Sequence, residues 1–197
     1  MLLNKLFISF SSRENGNCDS IAQFLSSEQD EIVYFRNKNY HVCTSCDYEC
    51  FGQGCKYRDD DVYEIFEKMQ QYQKIVFIVP MYCGNPSSLY FAFNERSQDY
   101  FMHNEEKHES ILKRLFIIGI YGSQEESPNF LSCFEKWFDG SEYSNHVLGI
   151  ERHKYSLKLK DSVLDIDEVR NVISEFINPT NAKDRYNGCG IVRIYNK

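Results

Sequence analysis

A polar segment near the N-terminus combines the residue types that bind phosphate. It spans residues 11–18 (SSRENGNC) and lies between an apolar run ending at Phe10 and the start of a helical pattern. Backbone N–H groups at a helix start face a bound anion, hydroxyls donate hydrogen bonds to it, and an arginine adds positive charge. We predict a phosphate site here; the alternative is an ordinary polar turn capped by Asn17. The residues assigned to the site are Ser9, Ser11, Ser12, Arg13, Asn15, Gly16, Asn17 and Cys18.

A second loop, residues 80–89, carries residue types that suit a flat ring. It follows the apolar run Ile75–Val79 and contains two prolines, one glycine and one tyrosine. The loop backbone can hydrogen-bond the edge of a ring while the side chain of Tyr82 covers a face. The alternative is a rigid turn into the next helix, with Ser87 or Ser88 as the N-cap. The residues predicted to border the ring are Pro80, Met81, Tyr82, Cys83 and Gly84, with Tyr121 and Gly122 after a later apolar run.

Four of the eight cysteines fall within one short segment, residues 43–55. Four thiolates on one loop suit a tetrahedral zinc ion or an iron–sulfur cluster, and four reduced thiols without metal are the third interpretation. His41, just before the segment, is a candidate substitute ligand. The predicted metal ligands are Cys43, Cys46, Cys50 and Cys55.

No motif assigns an acid–base or nucleophilic residue. The chain contains no G-x-S-x-G, no H-E-x-x-H and no Walker-type loop, and nothing indicates paired catalytic carboxylates. We therefore name no catalytic residue, and expect any chemistry to come from a bound cofactor that the protein positions.

The elements that would position these residues alternate along the chain. Five apolar runs predict strands, and amphipathic helical patterns lie between them. Two of the runs are apolar on both faces, as central strands of a parallel sheet covered by helices must be. The order predicts an α/β fold with a doubly wound, five-stranded parallel sheet that binds ligands at the carboxyl ends of its strands. The predicted strands are Leu6–Phe10, Ile32–Phe35, Ile75–Val79, Leu115–Ile120 and His146–Ile150.

The length of 197 residues suits one domain. Three helical stripes are predicted, after Asp60, over residues 130–138 and over residues 169–177. We assign residues 1–178 to the domain, with its cysteine-rich loop at 43–55. Residues 179–197 form a C-terminal extension of unknown role, in which Ile191–Tyr195 is a candidate extra strand.

The net charge and the apolar runs of the chain argue against nucleic-acid and membrane partners. The formal net charge of −7 repels phosphate backbones, so we expect no nucleic-acid partner. No basic amphipathic stretch predicts a membrane surface, and no apolar run approaches the ~20 residues of a spanning helix. The N-terminal run lacks a small-residue cleavage site, so we expect a cytoplasmic protein whose cysteines are reduced or metal-bound.

The two loops together resemble those of the flavodoxin-like NAD(P)H-dependent FMN reductases. Residues 8–17 resemble the phosphate loop, residues 80–88 resemble the ring-binding loop, and Phe93-x-Glu95-Arg96 resembles the helix that follows. The resemblance covers about residues 5–100. It implies a flavodoxin-like sheet with helices on both faces and bound FMN. It also implies phosphate contacts from Ser11, Arg13 and Asn17, and an isoalloxazine ring bordered by Pro80, Tyr82 and Gly84.

The cysteine segment resembles the compact motif that iron–sulfur flavoproteins of this family carry at the same place in the chain. The resemblance implies a [4Fe-4S] cluster at Cys43–Cys55. Three residues separate Cys46 from Cys50, where the family usually has two.

Three positions depart from the usual family residues: Phe10 replaces a glycine, Cys18 a hydroxyl residue and Cys83 an aromatic one. The bulk of Phe10 predicts hindered approach of the loop backbone to a phosphate.

The predicted function is an FMN-binding oxidoreductase that passes electrons from NAD(P)H through flavin to an unidentified acceptor, with or without an iron–sulfur cluster. The resemblance also implies a homo-oligomer. One alternative is an electron-transfer flavoprotein with no substrate of its own. The other is a flavin-free regulatory module, which the three departures favour. The sequence does not distinguish NADH from NADPH.

Overall fold

Six parallel strands build one sheet across the described part of the protein. In the computed structural model this part comprises residues 3–44, 46–102, 104–123, 125, 127–138, 143, 146–178 and 191–193. The strands are β1 (Leu3–Ser9), β2 (Glu31–Tyr34), β3 (Tyr72–Tyr82), β5 (Leu115–Tyr121), β6 (Val147–Glu151) and β7 (Ile191–Arg193); the two-residue β4 (Asn85–Pro86) pairs antiparallel with β3. Their order in the sheet is β2-β1-β3-β5-β6-β7.

Helices cover both faces of this sheet. They are α1 (Asn17–Leu25), α2 (Asp61–Met69), α3 (Ser88–Met102), α4 (Glu105–Leu112), α5 (Ser132–Glu135) and α6 (Asp167–Ile177). Successive residues of a strand point to opposite faces, so β3 serves both cores. Val76 and Ile78 pack with α1 and α6, whereas Ile75, Phe77 and Val79 pack with the other helices. No helix in the described ranges is long and apolar enough to cross a bilayer.

The predicted fold class is confirmed, and every predicted strand is present. The central strands β3 and β5 are buried on both faces, as their unbroken apolar runs require. The sheet also has a sixth strand, because Ile191–Arg193 of the candidate strand Ile191–Tyr195 pairs with β6. The rest of the C-terminal extension, residues 179–190 and 194–197, lies outside the described residues. The boundary drawn at residue 178 stays a prediction.

The aromatic stripe at residues 130–138 forms a turn, the one-turn α5 and a short 3-10 helix, rather than the predicted continuous helix. Two glycines that are partners in the sheet, Gly119 of β5 and Gly149 of β6, make room for it. A Cβ atom would lie 2.8 Å from the Phe130 ring at Gly119, and 2.6 Å from Leu131 at Gly149. The paired glycines therefore form the groove that receives the stripe.

A methyl group in this groove should destabilise the fold. We expect Gly149→Ala to lower the free energy of unfolding by about 1–3 kcal/mol, because a well-packed core absorbs extra volume only by shifting its side chains. Urea denaturation measures the change. Gly52→Ala is the matched control, because a Cβ atom at Gly52 would meet nothing within 4 Å. Equal stability of the two variants would contradict the packing assigned to Gly149.

Candidate functional site

A cavity of about 310 Å³ opens at the carboxyl ends of β1, β3 and β5. It is where a doubly wound sheet binds its ligands. Both predicted loops reach it, although residues 19–79 of the chain lie between them. A larger cavity of about 580 Å³ is lined by α3, α4 and residues 133–137, and none of the predicted site residues borders it. The predicted residues that line the smaller cavity are Ser11, Arg13, Gly16, Asn17, Cys18, Pro80, Met81, Tyr82, Tyr121 and Gly122.

Five residues assigned to the site do not line this cavity. Ser9 is buried beneath the loop, Ser12 is exposed, and Asn15 borders a neighbouring cavity of about 230 Å³. Cys83 and Gly84 form the tip of the β3–β4 hairpin, with φ angles of 50° and 79°. Two central residues with positive φ are typical of a type I′ turn, whose twist matches the flanking strands. The tip therefore closes the hairpin, and neither residue is among those that line the cavity, so the contact of Gly84 with a ring stays a prediction.

The start of α1 lacks a side-chain cap. Its N-cap is Gly16, so the alternative of a turn capped by Asn17 does not describe this helix. The amide of Asn17 instead ties the helix to the chain after β6. It donates to the carbonyl of Asp161 at 3.3 Å and accepts from the N–H of Val163 at 2.9 Å. Asn17 therefore holds a neighbouring segment, and the uncapped N–H groups of α1 face the cavity end of the loop.

A buried carboxylate organises the phosphate loop from within. Asp19 accepts hydrogen bonds from the Ser9 hydroxyl at 2.8 Å and from the N–H of Asn15 at 3.0 Å. The guanidinium of Arg36 lies 2.9 Å from the same carboxylate and balances its charge. Sequence reasoning missed this pair because Arg36 follows β2, and only the sheet brings it to the loop. Because Arg36 balances the charge of Asp19, the buried carboxylate beneath the loop does not by itself repel an anion bound in the cavity.

The bulk of Phe10 does not reach the cavity. Its side chain is fully buried, and its ring packs among Phe35, Phe77, Tyr90 and Phe93 with centroid separations of 5.2–5.6 Å. The expected hindrance to the loop backbone is therefore wrong, because the ring points into the core.

The second departure, Cys18, is also accommodated. Cys18 is 2% exposed, and burial raises the pKa of its thiol, with the charge of Asp19 raising it further. The side chain therefore stays a neutral thiol and serves as a small apolar group.

Hydroxyl groups link the two loops across the cavity mouth. Ser12 donates to the hydroxyl of Tyr82 at 3.3 Å, and the Ser11 hydroxyl lies 3.5 Å from it. Ser11 also closes a local turn with the backbone of Arg13. Behind them, Ser87 donates to the carbonyl of Phe10 at 2.7 Å and accepts from the first turn of α3, so of the two candidate N-caps it is Ser87 that serves.

The chain after β6 supplies a side of the cavity that the sequence did not indicate. The N–H of Arg152 donates to the carbonyl of Tyr121 at 3.0 Å, and the N–H of His153 donates to that of Gly122 at 3.0 Å. These bonds fasten the segment to the end of β5. The cavity residues missed by the sequence analysis are Ile120, Arg152, His153 and Leu159.

A comparison with known families agrees with this geometry. Residues 4–132 match the family model described as NADPH-dependent FMN reductase. The chain belongs to this family. Its class of activity is therefore that of a flavin-dependent oxidoreductase. The matched range contains both loops and ends before Arg152, so the last side of the cavity lies outside it.

Individual relatives are more distant. An iron–sulfur flavoprotein from Archaeoglobus fulgidus is 32% identical over 68 residues, which cover 34% of this chain and only 33% of that protein. The Trp repressor binding protein of Bacillus subtilis has a TM-score of 0.62 at 14% identity, over 90% of this chain and 99% of that one. An FMN-dependent NADH-azoreductase of Bacillus anthracis has a TM-score of 0.59 at 13% identity, over 89% of this chain and 100% of that one. Such structural likeness shows the shared fold.

The cavity suits the flavin that this FMN reductase family uses. Arg13 and Arg152 both line it, and the uncapped start of α1 adds the partial positive charge of a helix N-terminus. The side-chain nitrogens Nε and Nη2 of Arg152 are buried and lack hydrogen-bond partners among the described residues. Unpaired buried donors beside a cationic loop fit an anionic group such as a phosphate.

The four clustered cysteines lie on one loop without forming a metal site in this structure. All four are free thiols. Burial raises the pKa of Cys43, and nearby Glu95 and the other three cysteines raise it further. Within the described ranges, however, no group of three or more His, Cys, Asp or Glu side chains is placed to hold a metal ion. The arrangement seen here therefore does not fit a cluster.

The two ends of this cysteine loop are anchored by a buried ion pair. Arg96 of α3 lies 2.8 Å from Asp60, and both side chains are almost fully buried. The same guanidinium donates to the carbonyls of His41 at 2.7 Å and Tyr57 at 2.6 Å, one on each side of the loop. A second carboxylate, Asp99, accepts from the N–H of Cys55 at 2.9 Å. These hydrogen bonds therefore hold the two ends of the loop and do not involve its middle.

Loss of the buried arginine should unfold or loosen this region. We expect Arg96→Met to lower the free energy of unfolding by about 3–5 kcal/mol, because Asp60 is left charged and buried. The control is Lys113→Met, since Lys113 and its partner Glu109 are both more than half exposed and the loss of their ion pair should cost little stability. Urea denaturation gives both values, and thiol titration should show faster reaction of Cys43 in the first variant. Similar losses in the two variants would contradict the anchoring role.

Proposed function

We propose that this protein binds FMN in the cavity at the carboxyl edge of the sheet and passes electrons from NAD(P)H through the flavin to an acceptor that is still unidentified. The observation that carries the proposal is the meeting of the two loops in one cavity with a cationic rim. Membership of the NADPH-dependent FMN reductase family supports both the flavin and the nicotinamide donor.

The residues of the cavity divide into two groups by chemistry. Arg13, the Ser11 hydroxyl and the start of α1 would hold the phosphate, since they supply charge and donors at one end. Pro80 and Tyr82 would border the ring, with Tyr82 oriented by its hydroxyl contacts to the phosphate loop. When bound, FMN supplies the hydride and electron chemistry, and the protein supplies position and electrostatics. No acid–base residue is required of this chain.

Anaerobic mixing with NADH and with NADPH tests the reaction. Rapid bleaching of the flavin by either nucleotide supports the proposed reductase. Flavin that stays oxidised in their presence, yet exchanges electrons with a redox protein, would favour the electron carrier. A protein that ignores added FMN would favour the flavin-free module.

The phosphate assignment predicts a selective loss of affinity. We expect Arg13→Ala to weaken FMN binding by about 1.5–3 kcal/mol, the size of a charge-assisted hydrogen bond. Riboflavin lacks the phosphate, so its affinity should not change, and the wild-type protein should prefer FMN to riboflavin. Quenching of flavin fluorescence measures all four constants. Unchanged FMN binding together with a large loss of flavin-free stability would show that Arg13 is structural.

We also propose that the cysteine loop binds a metal by rearranging between its anchored ends. The spacing of the four cysteines supports this, as does the partial similarity to an iron–sulfur flavoprotein. A crowded set of thiolates is favourable only around a cation. Four cysteine thiolates suit either zinc or an iron–sulfur cluster, and no step of the reaction is assigned to the metal.

Metal content after anaerobic purification tests this second proposal. Each of Cys43→Ser, Cys46→Ser, Cys50→Ser and Cys55→Ser should release the metal, because four ligands act together. Cys133→Ser is the control, since Cys133 lies outside the loop and contacts the carbonyl of Asn129. Iron with acid-labile sulfide identifies a cluster, and zinc without sulfide identifies a zinc site. Metal-free protein from iron-replete anaerobic cells would contradict metal binding.

Two further expectations stay predictions: a cytoplasmic location and a homo-oligomeric state. Light scattering on the purified protein would determine the second.

A further inference from the structure

Arg152 holds an unusual position at the edge of the cavity. It is the first residue after β6, and its backbone is fixed by the hydrogen bond to Tyr121. Arg152 lines the same cavity as Arg13 and the start of α1. Two of its side-chain nitrogens are buried without a hydrogen-bond partner in the described part of the chain. The structure thus brings a cation to the cavity and leaves part of its hydrogen-bonding capacity unused.

This arrangement is unfavourable without a ligand. Buried donors that lose water without gaining a partner destabilise the folded state. Burial lowers the pKa of Arg152 and the charge of Arg13 lowers it further, against the opposing effect of Asp161. Arg13 therefore lies close enough to repel Arg152, although the attraction of Asp161 is the larger of the two effects. A dianion bound beside both arginines would satisfy the unused donors and reduce this repulsion.

The chain beyond Arg152 connects it to the helix start. Residues 153–162 run from the end of β6 to the amide of Asn17, which bonds to Asp161 and Val163. We name this stretch the strap. Because the strap is fastened at β5 and at α1, it keeps Arg152 at the cavity that Arg13 and the start of α1 also line. The same geometry would present its guanidinium to an anion that sits on the N-terminus of α1.

We propose that Arg152 is a second guanidinium ligand of the flavin phosphate, opposite Arg13, and that the pair selects the phosphorylated flavin over riboflavin. The inference rests on the proposed function. It adds a binding residue from outside the segment that matches the family model.

Flavin titrations of Arg152→Gln test the assignment. This variant removes the charge and keeps a side chain of similar length. We expect roughly 10- to 100-fold weaker binding of FMN, the loss of one charge-assisted contact, while riboflavin affinity stays within about twofold. Arg152→Lys keeps the charge without the planar fork, so its loss should be intermediate. The melting temperature of the flavin-free variant should stay close to that of the wild type, because the change removes two buried nitrogens without hydrogen-bond partners together with the attraction to Asp161.

A matched control separates a direct contact from a general loss of positive charge. Lys154 lies two residues further along the strap and pairs with Glu168 at 3.5 Å. We expect Lys154→Gln to change FMN affinity by less than about threefold, the scale of a screened surface charge.

The outcomes distinguish failure of this inference from failure of the proposed function. Wild-type protein with no preference for FMN over riboflavin would overturn the phosphate site and this inference with it. A wild-type preference that survives intact in Arg152→Gln would overturn the inference alone. So would equal losses for FMN and riboflavin, since these would place Arg152 against the ring or in the fold.

Discussion

Parallel pairing of β1 with β3 is the constraint on which the site depends. Ser9 and Ile78 are register partners, so both strands approach the same edge of the sheet at the same level. The loop after β1 and the loop after β3 therefore emerge side by side. β5 continues the arrangement, with Ile120 opposite Pro80. A cavity between loops that are remote in sequence follows directly from three parallel strands in this order.

The cavity at the carboxyl edge of the sheet is lined by cationic side chains, although the chain as a whole is acidic. The protein as a whole carries a formal net charge of −7, yet Arg13, Arg36 and Arg152 gather around the phosphate loop. Arg36 forms an ion pair with the buried carboxylate of Asp19. Arg13 and Arg152 line the cavity, and the carboxylate of Asp161 offsets part of the charge of Arg152. A locally cationic pocket in an acidic protein concentrates the field where a small anion binds and gives little attraction for a long polyanion.

The sequence predicted the parts of the site that depend on local order along the chain. Strand-to-helix junctions with small polar residues were recognisable after β1 and β3, and both do meet at the cavity. Two kinds of feature could not be predicted. The contribution of Arg152 depends on where β6 ends relative to β5, which is a property of the sheet. The position of Gly84 at a hairpin tip depends on the pairing of β3 with β4, in which Cys83 and Gly84 take positive φ angles together.

The two candidate sites share one short piece of chain, the segment after β2. At its start, Arg36 pairs with Asp19 beneath the phosphate loop. Tyr40 stacks on Phe35 with a centroid separation of 4.8 Å, and the carbonyl of His41 is held by Arg96. The cysteine loop begins directly beyond. Between the cysteine loop and Arg36, the chain is therefore held at the carbonyl of His41 and by the stacking of Tyr40 on Phe35. The bond from Arg96 to His41 therefore lies along the chain between the cysteine loop and the arginine beneath the phosphate loop.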